Sequence, residues 1–252
     1  MHLGRHADDA QALDAWPVDG RGRDLSKYRN NAFGPSKSYF TVGELADASG
    51  AYYREADRGF GHWARYDDMP GRKIWIWDLS RAGAIWEGLL TDADGQYTEP
   101  QYGRLFNQSD HDFLTPGRTD RWSELWFPYG RLGGPMVKAS PWAALNVEPR
   151  GGALRIALYA LQAIHDDLTV TAGGSEIFRT RVELEPSGVF ETSVATPSGD
   201  RPFEVRLGAD KLVYTSDKAS DDLSRPFGFR LDDESTTEGV YLAADRLHKE
   251  RR

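Results

Sequence analysis

Short runs of aromatic and β-branched residues, each closed by a cluster of glycine, proline or aspartate, recur along most of this chain and restrict it to antiparallel β-structure. The first is Ser38-Tyr39-Phe40-Thr41-Val42. Gly61 to Tyr66, Lys73 to Trp77, Gln96 to Gln101 and Trp122 to Phe127 follow, with turn residues at Met69-Pro70-Gly71-Arg72, Asp92-Ala93-Asp94-Gly95 and Thr115-Pro116-Gly117. From Leu145 the beat becomes regular. Leu154, Ile156 and Leu158 alternate with Arg155, Ala157 and Tyr159, Leu168-Thr169-Val170 runs into Gly173-Gly174, and apolar pairs recur to Leu212-Val213-Tyr214. A spacing of about eight to twelve residues with such turns predicts a small, Ig-like antiparallel β-sandwich.

Two stretches depart from this beat. Arg81 to Leu90 predicts a short helix with Ala82, Ile85 and Leu89 on one face, and the sequence after Asp232 changes to a helical period. There Ser235 and Glu238 form a capping-box pattern ahead of Val240, Ala243, Ala244 and Leu247, so a C-terminal helix is expected. Met1 to Asp24 is polar around a lone Trp16 and reads as an arm. The segments expected are therefore 1–24 (arm), 25–144 (first β-domain), 145–231 (sandwich) and 232–252 (helix).

With 252 residues there is room for two domains of ordinary size. Asp and Glu number 39 against 31 Lys and Arg, a formal charge of -8, which disfavours a phosphate backbone or an anionic membrane and suits a neutral partner. No cysteine is present, which excludes disulfides and thiolate metal sites but leaves the compartment open. Neither a signal-peptide apolar run in the opening 24 residues nor 18 consecutive apolar residues is found, so a soluble chain is expected. Walker, G-x-S-x-G, HExxH and G-x-G-x-x-G motifs are all missing, and Asp92-Ala93-Asp94-Gly95 lacks the ligands of a calcium loop, so no metal or other cofactor is expected.

Of eight tryptophans, seven lie between Trp63 and Trp142. Large aromatics suit a sheet core, but they also stack on the C–H face of a sugar ring, and strand alternation helps to choose. In Lys73-Ile74-Trp75-Ile76-Trp77 the isoleucines share one face, the natural core side, leaving Lys73, Trp75 and Trp77 to line a groove. Tyr97, Glu99 and Gln101 likewise share a polar face. Pro100 between them, lacking an N–H, places that strand at an edge or a bulge. In the strand from Gly61, His62 and Tyr66 lie on one side and Trp63, Arg65 and Asp67 on the other. Sugar chemistry uses an acid and a base across a ring, as His62 and Glu99 could supply, or two carboxyl groups about 5–10 Å apart, as Glu99 with Asp67 or Asp68 could. Asp67-Asp68 equally suits a simple turn.

Lys37-Ser38-Tyr39-Phe40, the long string from Gly59-Phe60-Gly61-His62-Trp63 to Trp77, and Leu89 to Glu99 together resemble a bacterial domain-of-unknown-function family. In its large proteins a galactose-mutarotase-like β-supersandwich precedes a small β-sandwich and tetratricopeptide repeats. The resemblance covers residues 25–148 in motif detail. It implies a concave sheet facing carbohydrate, with His62 and Glu99 lining the site and Trp63, Trp75, Trp77, Tyr97, Gln101 and Arg104 around them. It further implies that 25–144 corresponds to the second half of a supersandwich, with an upstream or downstream domain in a longer protein. The expected function is a carbohydrate-binding module with a glycan or small sugar as partner. Alternatives are a glycoside hydrolase or aldose epimerase using Glu99 and His62, and a structural or interaction β-protein whose tryptophans are all core.

Overall fold

The computed structural model describes residues 2–3, 16–34, 36–41, 45–77, 79, 84–92, 94–105, 114, 116–195, 201–221 and 233–249. The first strands in chain order are β1 (His2–Leu3), β2 (Lys37–Phe40), β3 (Ala48–Tyr53), β4 (Arg58–Ala64), β5 (Gly71–Ile76), β6 (Thr98–Gly103) and β7 (Glu124–Gly130). β8 (Lys138–Ala139), β9 (Ala143–Arg150), β10 (Ala153–Ala160), β11 (Ile164–Ala172), β12 (Ser175–Leu184), β13 (Val189–Ala195), β14 (Phe203–Leu207) and β15 (Leu212–Thr215) follow, and helix α1 spans Thr237–Lys249. The protein is mainly β, with four antiparallel sheets. These divide between two compact units, Met1–Glu44 with Met69–Asp120 and Leu223–Arg252, and Leu45–Asp68 with Arg121–Asp222.

The first unit carries one sheet, ordered β1-β2-β5-β6. Tyr39 stands opposite Ile74, and with Ile76 and Leu25 they build a small core against Trp16, Tyr28 and Phe33. Ile74 and Ile76 thus face the core, as alternation predicts. Part of the polar N-terminal stretch is ordered here. Asp19 accepts from the backbone N–H groups of Arg21 and Arg23 at 3.0 and 2.8 Å, and Trp16 lies 5.9 Å from the Tyr39 ring. Pro100 sits in β6, an edge strand, where a missing N–H can face away from the ladder.

Helical segments differ from their sequence patterns. Ala82 lies outside the described residues, and Ile85 and Leu89 are exposed beside a five-residue π-turn at Glu87–Thr91, so they make no buried stripe. Thr236, not Ser235, caps α1. Its hydroxyl accepts from Gly239 N at 2.9 Å, while the Ser235 hydroxyl is held by Asp233. Of the apolar stripe, Ala243 is buried, whereas Val240 and Ala244 are exposed.

The second unit layers three sheets. β13-β10-β9-β8 and β12-β11-β14-β15 face each other over a core that includes Leu145, Leu154, Ile156, Leu158, Ile164, Leu168, Val170 and Leu207, a β-sandwich. Each such leucine or isoleucine contributes about 1.5–3 kcal/mol on burial. Two of its hairpins turn at glycine pairs. Arg150 pairs Ala153 around Gly151-Gly152 (φ 57° and 83°), and Ala172 pairs Ser175 around Gly173-Gly174 (φ 56° and 81°). Two successive positive φ angles give the turn that matches strand twist, which only glycine and a few polar residues accept cheaply.

The β9–β10 pair is buried on its other face as well. Ala144 and Ala157 there meet Phe127, Tyr129, Leu132 and Trp63 from the side of the third sheet, β3-β4-β7. Arg155 on this face donates from Nη1 to Leu132 O at 2.6 Å and Asn146 Oδ1 at 3.2 Å, and from Nη2 to Glu191 Oε2. Asn146 in turn donates to Pro135 O at 2.7 Å. A buried guanidinium is tolerated because its donors are occupied.

Candidate functional site

Register in the first unit gathers the residues proposed for a groove. Residues directly opposite in an antiparallel ladder project to the same side. Lys73 stands opposite Gln101 and Phe40, and Trp75 opposite Glu99 and Ser38, so Phe40, Lys73, Trp75, Glu99 and Gln101 share one face, opposite the Ile74–Ile76 core. Trp77 follows β5 and Tyr97 precedes β6, extending this face at the same end. Trp77 meets Trp75 edge-on at 5.3 Å, Tyr97 at 6.1 Å, and Trp86 from the segment before the π-turn at 4.8 Å. Trp75, Trp77, Tyr97, Glu99 and Gln101 are all half-buried.

Glu99 lies among these rings with both oxygens oriented. Oε1 accepts from Trp77 Nε1 at 3.1 Å and Oε2 from Gln101 Nε2 at 2.7 Å. Each carboxylate oxygen can accept a further bond, so the group is fixed in direction yet has capacity for a ligand hydroxyl. Lys73 is 7% exposed, with Nζ 5.5 Å from both the Phe40 and Trp75 ring centroids. Burial pushes its pKa down, opposed by the Glu99 carboxylate. Beyond Gly103 the chain turns over β5, where a Cβ on Gly71 would lie 1.7 Å from Leu105 O. Arg104 is engaged at the surface, donating from Nε and Nη2 to Asp120 at 2.9 and 2.7 Å.

His62, Trp63 and Arg65 belong to the second unit, so the expected pair His62 and Glu99 is divided between units. β4 is threaded with glycine because aromatic rings from β7 lie across it. Gly61 pairs Phe127 and Gly59 pairs Tyr129, and a Cβ on either would fall 2.4 or 2.5 Å from the facing ring. Trp63 is on this same face and packs into the Phe127–Tyr129 core. Tyr129 stacks on Tyr52 at 6.4 Å, and burial pushes its hydroxyl up to about 12.

His62 projects to the opposite side, fully buried, with Nε2 2.9 Å from Glu124 Oε2 and the Trp126 ring edge-on at 4.7 Å. With a carboxylate as acceptor, Nε2 carries the hydrogen. Glu124 and Trp126 were accessible to the same alternation test, since Glu124-Leu125-Trp126 puts both on one side of β7. Arg65 is exposed after β4, and Asp67 and Asp68 lie in the turn that follows, where Asp68 N bonds Arg65 O at 3.0 Å. At the other turn, the Thr91 hydroxyl donates to Gly95 O at 2.6 Å.

Residues 2–129, just over half of the chain, match the family described as domain of unknown function DUF5107. The chain belongs to the DUF5107 family. The DUF5107 match takes in β1 to β6 and most of β7, hence both the Trp75–Glu99 face and the His62–Glu124 pair. Residues 138–211, β8 to β14, match the second domain of YphG-like proteins. No curated protein and no solved structure matches.

Proposed function

We propose that this DUF5107 chain is a carbohydrate-binding module that holds a sugar on the β5–β6 face. In this reading Trp77, Trp75 and Tyr97 stack against the ring, and Glu99 and Gln101 meet its hydroxyls. One observation carries it: half-buried aromatic rings flank a carboxylate whose two oxygens are each aimed by a neighbouring donor. A purely structural role would not need a carboxylate set among these half-buried rings, because the apolar core of this sheet lies on its other side. The galactose-mutarotase-like fold implied for 25–144, and an association with tetratricopeptide repeats, belong to the same proposal.

Intrinsic tryptophan fluorescence followed during titration with glucose-, galactose-, xylose-, mannose- and uronate-based oligosaccharides tests the reading. A saturable change is expected with at least one sugar, abolished in Trp77→Ala while far-ultraviolet circular dichroism is kept. A folded protein that responds to none of them overturns it.

A further inference from the structure

Among the described residues, two donors on this face have no acceptor. Lys73 makes no hydrogen bond and no ion pair among the described residues, although it is 7% exposed, and Trp75 Nε1 is enclosed without a partner. A buried ammonium with no acceptor in contact is expensive even where a carboxylate offsets part of its charge through space, as Glu99 does here, and so is an enclosed N–H without an acceptor. The two side chains are successive on one face of β5, about 7 Å apart along the strand. The aromatic rings on either side of Lys73 offset part of its cost but supply no acceptor. Glu99, the nearest carboxylate on the face, is already aimed at Trp77 and Gln101 and forms no ion pair with Lys73.

Resting on the carbohydrate reading, we propose that the sugar is a uronate whose carboxylate is received by the Lys73 ammonium and the Trp75 indole N–H. A carboxylate fits where a hydroxyl does not. Its two oxygens serve both donors, and its charge meets the ammonium in direct contact, which a neutral sugar would leave with only the through-space influence of Glu99. Glu99 lies across the ladder from Trp75 and is left to accept from the ring hydroxyls. The net charge of -8 does not prevent this, since exposed charges more than about 8 Å away are screened at physiological salt while a buried contact is not.

The test compares trisaccharides of galacturonate, glucuronate, mannuronate and guluronate with their methyl esters and neutral counterparts by calorimetry, with acetate as a bare carboxylate. At least one uronate is expected to bind about tenfold or more tightly than its own methyl ester, as a charge-assisted bond requires. In Lys73→Met that preference is expected to fall to about twofold or less while the ester still binds. Esters or neutral sugars binding as well as the acids would overturn the uronate assignment and leave carbohydrate binding standing. So would a preference that survives Lys73→Met, or acetate matching the best uronate. No response to any saccharide would overturn both.

Discussion

Trp77 donates its indole N–H to Oε1 of Glu99 at 3.1 Å, joining the end of β5 to the second residue of β6. Glu99→Gln keeps the shape but replaces one aimed oxygen with an amide NH₂ that faces the Trp77 or Gln101 donor. Affinity for the bound sugar is expected to drop about tenfold, the lower range for a hydrogen bond to a charged group. Trp77 emission is expected to shift even without ligand. Calorimetry and fluorescence of the variant check both.

The glycines of β4 and the rings of β7 occupy one space. Gly61→Ala would set a Cβ 2.4 Å from Phe127 Cε2 and Cζ, and Gly59→Ala one 2.3 Å from Ala51 O, where backbone must move. Each is expected to cost about 1–3 kcal/mol in urea unfolding, Gly59→Ala the more, as overpacking does. Gly20→Ala, with nothing within 4 Å, is expected to stay within about 0.5 kcal/mol.

Two buried groups give stability opposite pH dependences. The Lys73 pKa is lowered on folding from 10.5, so its burial cost is full at neutral pH and relieved as pH rises through the folded value toward 10.5. Lys73→Met is therefore expected to be more stable than the parent at pH 7, with the difference shrinking by pH 10. Tyr129 is raised from 10.0 to about 12, so its contribution is full below pH 10 and lost as pH rises toward 12. The gap between the parent and Tyr129→Phe is expected to move against the parent over that interval. Thermal melts at a series of pH values check both signs.

Arg155 and Glu191 are unequal partners. Arg155 is 7% exposed and satisfies Leu132 O and Asn146, so Arg155→Leu is expected to cost about 1–3 kcal/mol by stranding those acceptors. Glu191 has a half-exposed side chain, and Glu191→Gln is expected to cost under about 1 kcal/mol. Paired denaturant titrations measure the difference.

Much of this was legible along single strands. The alternation of Ile74 and Ile76 with Trp75 and Trp77 places the isoleucines on the core side of β5, and Gly173-Gly174 marks the β11–β12 hairpin where it occurs. What alternation cannot report is register and partner. Only the pairing of Trp75 with Glu99 makes one face of two strands, and only Phe127 and Tyr129 decide that Trp63 points into a core. The Ser235–Glu238 pattern misleads because Asp233 captures the Ser235 hydroxyl, leaving Thr236 to cap the helix. Likewise the helical period at 81–90 carries no information about the π-turn that leaves Leu89 exposed.

The ladder of β4 with β7 joins Ala64 to Glu124, sixty positions further along the chain. At about 5–20 residues per second, a ribosome needs about 3–12 s to synthesise that interval. β4 can pair at once with β3, its hairpin neighbour, but the side that receives β7 stays open meanwhile. Until translation passes Gly130, that side is where a chaperone or a stray strand would engage the nascent protein.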